Sequence, residues 1–297
     1  MAIDDCTALL RCPVCGADME HDAHSLRCDR RHTFDIARQG YVDLLPAGHG
    51  RHTIEGDTRE MIDARARVLE AALFEPLAAC VAAIASASLG RTAALRASTG
   101  DADTTSVILD CGCGTGYYLG RIADHAANAA SRLCLLGTDI STAALRRAAR
   151  AVPRGTFFRN DIGHRITVAD RVVDLIVNIF APRSANEFQR VLHPHGALLI
   201  VIPGADHLTQ LRTSLPLLAI DPDKADRLME ALHPRFELVD TATVRYERNL
   251  DDTQLVDLLR MGPSARHLED GAWQEARRLA PIDVTFDFLV LELRHAR

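Results

Sequence analysis

The stretch Val107-Ile-Leu-Asp-Cys-Gly-Cys-Gly-Thr-Gly-Tyr117 constrains the fold more than any other in the 297-residue chain. An apolar run, Val107-Ile108-Leu109, ends in Asp110; Gly112, Gly114 and Gly116 follow at every second position, and a helical pattern begins after them. That order reads as a buried strand, a tight turn and a helix start. Glycine suits such a turn because the backbone bends sharply and lets a ligand come close with no Cβ in the way, while helix amides face the ligand. A second strand, 133–139, also ends in a carboxylate, Asp139, placed to accept both hydroxyls of a ribose.

A dinucleotide fingerprint would need a third glycine where Tyr117 stands. The G-x-G-x-G behind an acid instead resembles motif I of class I S-adenosylmethionine-dependent methyltransferases. That resemblance puts Asp110 near the methionine end of the cofactor. The flanking pattern agrees. Strands at 107–111, 133–139, 156–159, 172–178 and 196–202 alternate with helices at 116–128, 142–151 and 184–192, then a helix at 222–233, a strand at 236–247, helical material at 251–279 and a last strand at 284–293. The expected fold is therefore α/β, a Rossmann-like, doubly wound sheet closed by an antiparallel pair. Ahead of it, 59–88 reads as helix broken near Pro76, and 89–106 as a surface loop.

Acceptors bind at the carboxyl ends of parallel strands, which points to Asn178-Ile-Phe-Ala-Pro182. There Phe180 is expected as a stacking surface, with a core aromatic as the alternative, and Asn178 as a hydrogen-bonding anchor. His207 and Asp206 are candidates to take a proton, although Asp206 at this position is more commonly a helix cap. Asp161, after the strand 156–159, stands where methyltransferases often bond the adenine amino group, and is otherwise a turn carboxylate.

The N-terminal stretch poses a separate problem. Cys12, Cys15, Cys28 and His32 have the spacing C-x2-C-x12-C-x3-H, two ligands on each of two knuckle turns, as a structural tetrahedral zinc requires. Residues 33–46 are expected to pack a small sheet against those knuckles, and glycine-rich 47–58 to link domains. The division is thus 1–46 zinc-binding and RNA-recognising, 47–58 linker, 59–297 methyltransferase. The remaining cysteines include Cys6, Cys80, Cys111 and Cys134, read as small core residues and not as a disulfide framework. With no apolar run of about 20 residues and no export signal, no membrane is expected and a cytoplasmic location is.

Taken together, these segments resemble one family over almost the whole chain: the bacterial 23S ribosomal RNA guanine-N1 methyltransferases, above all their tylosin-resistance branch. The matching residues are the zinc ligands, 32–45, Gly56-Asp57, Met61, Ala64-Arg65, the Asp110 turn with Tyr117, Asn178 to Arg183, Pro203-Gly204 with His207-Leu208, and Met261-Gly-Pro-Ser264. The resemblance implies methyl transfer to N1 of a guanine in the helix 35 loop (position 748 or 745), an influence on macrolide sensitivity, a homodimer whose zinc domains help form the RNA cleft, and cofactor contacts from Phe74, Gly114, Thr115 and His207. Two departures stand out: Phe74 replaces a common tyrosine, and Ala265-Arg266-His267 stands where an aromatic is common.

Charge gives RNA binding little support. The net charge is −6, and residues 1–52 hold six arginines against eight acids, so a strongly basic footprint is absent. Local clusters remain in Arg27, Arg30, Arg31 and Arg38, and in Arg146, Arg147, Arg150 and Arg154. The rival functions are a small-molecule methyltransferase with a stabilising zinc appendage, and a non-catalytic zinc module that binds RNA.

Overall fold

The computed structural model describes residues 6–46, 56–100, 105–126, 132–221 and 223–296. Three short antiparallel strands, β1 (Met19–Asp22), β2 (Ser25–Cys28) and β3 (Thr33–Asp35), make a sheet of their own. The next strand, β4 (Tyr41–Asp43), does not join it but runs parallel to residues 156–159 at the edge of the main sheet, which corrects the expectation that 33–46 packs as one piece on the knuckles. The reason is burial on both sides: Tyr41 enters one hydrophobic cluster and its neighbour Val42 the other, as a strand covered on both faces requires. Most of the expected 47–58 linker lies outside the described residues.

Helix α1 (Arg59–Glu70) starts at Thr58, whose hydroxyl accepts the Met61 amide, and α2 (Glu75–Ser98) starts with Pro76 in its first turn, where a missing N–H costs nothing. α2 continues through 89–98, so the loop expected there is helix. Its Ala, Ser and Thr residues allow a close approach to the sheet, burying Ser88, Leu89 and Thr92. Arg91 pairs with the buried Glu292, and Arg96 with the buried Asp174, at 2.6 and 2.9 Å. α2 is long and apolar enough to cross a membrane, but these pairs and its buried face make it the core helix of this fold.

The alternation then runs β5 (Ser106–Cys111), α3 (Tyr117–Ala126), β6 (Leu133–Asp139), α4 (Thr142–Ala151), β7 (Thr156–Arg159), β8 (Val173–Ile179), α5 (Ala185–Val191), β9 (Leu192–Pro203), α6 (Thr209–Ser214), α7 (Lys224–Leu232), β10 (Phe236–Leu250), α8 (Asp252–Arg260), α9 (Asp270–Leu279) and β11 (Ile282–His295). The main sheet has eight strands in the order β10-β11-β9-β8-β5-β6-β7-β4. β11 is antiparallel to both neighbours and the rest are parallel. From β5 the chain winds to one side through β6 and β7, then returns to β8 on the other side of β5, so a crevice opens at the carboxyl ends of β5 and β8.

One face of the sheet is covered by helices, with Val68, Leu77, Leu119 and Leu255 in its cluster. The other face is covered by α5 and α7 together with the N-terminal module, whose Leu10, Cys12, Met19 and Leu26 share a cluster with Phe188 and Leu228. The first residues dock directly: the Arg11 amide donates to the Thr167 carbonyl, and Leu10 bridges Val168. This docking sets Cys6 over the start of β6, where it forms a disulfide with Cys134, Cα atoms 5.6 Å apart. The expectation of unpaired core cysteines is thus corrected for these two and holds for the buried Cys111.

Candidate functional site

In the N-terminal module, the Gly16 amide donates to the Cys12 carbonyl and the Arg31 amide to the Cys28 carbonyl, at 2.8 and 2.9 Å, closing two equivalent turns. Gly16 and Arg31 take the left-handed conformation that ends each turn, so an arginine does on the second knuckle what a glycine does on the first. The turns bring the sulfurs of Cys12, Cys15 and Cys28 and a ring nitrogen of His32 within 4.8 Å of one another. His32 Nδ1 lies 3.5 and 3.4 Å from the Cys12 and Cys28 sulfurs, and the Cys15 and Cys28 sulfurs are 3.8 Å apart. A zinc–sulfur bond of about 2.3 Å gives a tetrahedron with edges of roughly 3.8 Å. The four donors therefore fit zinc, and as a full set of protein ligands they fit a structural one.

At the glycine turn, the Gly112 and Cys113 amides both donate to the Thr138 carbonyl, folding the exit of β5 back onto β6. Gly112, Gly114 and Gly116 all have positive φ. A Cβ at 112 would run into the Ala181 methyl of the β8 exit, and one at 116 would sit 3.1 Å from Ala148 of α4. Glycine is thus required here by backbone conformation and by space together. Thr115 is buried beside them.

The two strand-end acids behave differently. Asp110 is buried, and burial with the nearby Asp139 charge pushes its pKa up to about 8. Asp139 accepts the Gly114 amide at 2.9 Å and the Ser141 amide at 2.8 Å, one on each oxygen, so it ties the glycine turn to the start of α4. Burial raises its pKa, opposed by those two amides. Each oxygen keeps a second lone pair for a ribose hydroxyl. Asp161 ends its strand in a turn, accepting the Gly163 amide, and its neighbour Ile162 reaches the space beside Gly112.

On the acceptor side, Phe180 stands 44% exposed with φ +53° at the exit of β8. A bulky residue in that conformation is held there by its surroundings. Its ring rests on Phe74 and Phe288, with centroids 6.4 and 5.4 Å away. Phe74, at the start of α2, is buried among Phe180, Phe286 and Phe288. Asn178 is fully buried; its amide nitrogen donates to the Cys111 and Pro182 carbonyls, binding the β5 exit to the β8 exit. Its amide nitrogen thus shapes the two loops, while its side-chain oxygen is buried with no hydrogen-bond partner among the described residues.

His207 packs on Phe288 at 4.6 Å, and its Nδ1 accepts the Asp287 amide at 3.3 Å. That bond leaves the ring hydrogen on Nε2. Burial, reinforced by the Arg212 and Lys224 charges, pushes its pKa down to about 3. His207 is thus held neutral, with Nδ1 already occupied by backbone and Nε2 left to meet a ligand. Asp206, the other candidate, is ion-paired with Arg245.

Sequence reasoning missed a group of residues that closes the cofactor side. Arg65 of α1 pairs with Asp57 at 2.6 Å, donates to the Met261 carbonyl, and lies over Gly114. The Ser141 hydroxyl donates to the Asp57 carbonyl, and Arg266 donates to that of Gly56. The motifs Gly56-Asp57, Ala64-Arg65 and Met261-Gly-Pro-Ser264 carried the signal, and only folding shows that they meet. Asp287 was also missed: it accepts the Asp206 amide, and a side chain at Gly204 would strike its carboxylate.

A family profile described as "RlmA, N-terminal", a zinc ribbon, matches residues 10–52, and one described as "Methyltransferase domain" matches residues 108–196. A 23S rRNA (guanine-N(1)-)-methyltransferase of Micromonospora griseorubida is 42% identical over 93% of this chain and 94% of its own. The 23S rRNA (guanine(748)-N(1))-methyltransferase of Streptomyces fradiae is 37% identical over 92% of this chain and 90% of its own. YxjB of Bacillus subtilis (strain 168) is 29% identical over 96% of both chains. A chain with this zinc ribbon, this glycine turn between two strand-end acids, and such relatives along its length belongs to the family of S-adenosylmethionine-dependent 23S rRNA (guanine-N1)-methyltransferases.

Proposed function

We propose that this protein methylates N1 of a guanine in the helix 35 loop of 23S rRNA, at the 748-type position, and thereby alters macrolide sensitivity. The observation that carries the reading is the exposed Phe180 ring at the crevice between the β5 and β8 ends, because an unstacked base needs a flat surface beside the methyl donor.

S-adenosylmethionine supplies a methyl group already made electrophilic by the sulfonium. The protein's own work is then alignment. In this reading Asp110 faces the methionine ammonium and Asp139 the ribose. Gly112, Gly114, Thr115 and Gly116 give the backbone cradle, Asp161 lies toward the adenine, and Phe74 and His207 close the methyl end. Asn178 positions the two loops that meet there, and Phe180 stacks the guanine. The zinc domain, 1–46, would recognise RNA with Arg27, Arg30, Arg31 and Arg38, and a homodimer would complete the cleft.

Incubation with labelled cofactor and a helix 35 hairpin should yield N1-methylguanine, read as a primer-extension stop. Label appearing only in small metabolites would refute the RNA assignment. Light scattering with and without the hairpin tests the dimer.

A further inference from the structure

Resting on the cofactor placement just proposed, we infer that Arg65 binds the carboxylate of the methionine end, so that helix α1 as well as the glycine turn selects the amino-acid half of S-adenosylmethionine. The geometry begins at Gly114, where a Cβ would have one neighbour, Arg65 Nη1 at 3.6 Å, and nothing else within 4 Å. The atoms closest to a Cβ at Gly112 belong to Ala181 and Ile162, and those at Gly116 to Ala148. Across the three glycines, Arg65 Nη1 is therefore the one charged group that meets the turn at these points.

The other side of the guanidinium is already fixed. Nη2 pairs with Asp57 at 2.6 Å and donates to the Met261 carbonyl at 3.0 Å, while the Ser141 hydroxyl holds the Asp57 carbonyl. Among the described residues no protein group takes Nη1. Arg67, two residues on in the same helix, shows the contrast: its Nε and Nη2 are both spent on Asp257, at 2.7 and 2.6 Å. Arg65 thus keeps the two N–H groups of Nη1 over the turn, on a side chain that two tethers hold in place. A donor fixed beforehand loses little freedom when a ligand arrives.

The chemistry of the cofactor says what such donors meet. Its methionine end carries an ammonium and a carboxylate on one carbon, so the groups that receive them must lie close together. Asp110 and Asp139 end the strands on either side of the turn, and Asp139 accepts the Gly114 amide that Arg65 overlies. Acids suit the ammonium and the sulfonium, but the carboxylate would lose its hydration with nothing in return. An arginine supplies what is missing, because its N–H groups bond a carboxylate with charge assistance and in a fixed planar geometry.

The test is calorimetric binding of three ligands to the full-length, zinc-loaded protein at fixed pH and salt. They are S-adenosylmethionine, its decarboxylated form, which keeps the ammonium and sulfonium, and methylthioadenosine, which lacks the whole amino-acid end. Wild type should prefer S-adenosylmethionine to the decarboxylated form by roughly 10-fold to 100-fold, the range of a hydrogen bond to a charged group. R65M should weaken S-adenosylmethionine by that factor and leave the other two within about threefold, which abolishes the preference. R65K, a point charge without the fork, should keep part of it. R65Q, which offers Asp57 and Met261 a donor but carries no charge, should show the same loss and reads it should R65M fail to fold. If R65M weakens all three ligands alike, Arg65 only holds the turn through Asp57 and Met261, and the inference fails. If R65M keeps the wild-type preference, the carboxylate is bound elsewhere and the inference fails again; a loss of hairpin affinity alongside would assign Nη1 to an RNA phosphate. A wild type that binds none of the three overturns the cofactor placement itself. One that binds them as expected yet makes no N1-methylguanine supports Arg65 and overturns only the proposed RNA target.

Discussion

The zinc knuckles and the glycine turn each hold something the chain does not itself supply, but they are assembled in opposite ways. The four knuckle donors come from 21 consecutive residues, Cys12 to His32, and saturate the ion. The glycine turn is held by residues far away in the chain, with Asp139 on the Gly114 amide, Arg65 over Gly114 and Ala181 against Gly112. A closed local site can be specified by spacing alone. An open site needs the whole sheet in place before its parts meet, which is why the knuckles should depend on the ion and the crevice on the core.

Metal removal gives the sharpest test of that contrast. Structural zinc contributes an apparent 10–16 kcal/mol to small modules of this kind, so chelation should abolish amide protection through β1 to β3. The buried strands β5, β6 and β8 should keep theirs, since Leu109, Leu136 and Ile176 lie in a continuous core. Hydrogen exchange with and without chelator checks this. Equal loss in both regions would show that the shared cluster, and not the ion, holds the module. Substituting Cys28→Ser should act in the same direction.

The converse experiment strikes the core. Arg96 is 12% exposed and pairs with Asp174, which also accepts the Val107 amide at the start of β5. R96M leaves that carboxylate buried and unpaired, a loss of about 3–5 kcal/mol in urea unfolding. Zinc stoichiometry should stay the same. A variant as stable as wild type would mean that water reaches Asp174.

A smaller effect separates the two acids of the crevice. Asp110 holds its proton up to about pH 8 when folded, whereas an unfolded aspartate releases it near 3.9. Between those values the folded state binds the extra proton, so rising pH costs the free protein stability. If Asp110 faces the methionine ammonium, cofactor affinity should rise instead, by roughly tenfold per pH unit below 8, and D110N should flatten the dependence. Calorimetry from pH 6 to 8 reads it. A wild type with pH-independent affinity would remove Asp110 from the ammonium.

How much of this was legible in the sequence follows from the same contrast. Period and punctuation give the sheet, since a buried parallel strand reads as an apolar run and Asp110 and Asp139 mark its edge. The helix through 89–98 was hidden because small residues that pack closely against a sheet read as loop. β4 was hidden because a three-residue strand carries no period. In the crevice, a residue type announced chemistry without showing its orientation: His207 and Asn178 looked like groups free to act, and each has an atom committed to backbone at a distant position, Asp287 in one case and Cys111 in the other. Such commitments are long-range hydrogen bonds, and no local pattern encodes them.

Phe180 is where the two kinds of site are easiest to tell apart. Because its ring is 44% exposed, truncation leaves little cavity, and alanine keeps the Cβ and so the same backbone cost. F180A should therefore leave the melting temperature nearly unchanged, along with zinc content and cofactor affinity. Turnover on the hairpin should fall by the stacking contribution of one base, about 1–3 kcal/mol, or roughly fivefold to 150-fold, and F180Y should recover it. A melting temperature several degrees lower with unaltered turnover would instead class the ring with Phe74 and Phe288, as packing that happens to reach the surface. The methyl acceptor would then have to be sought against another wall of the crevice.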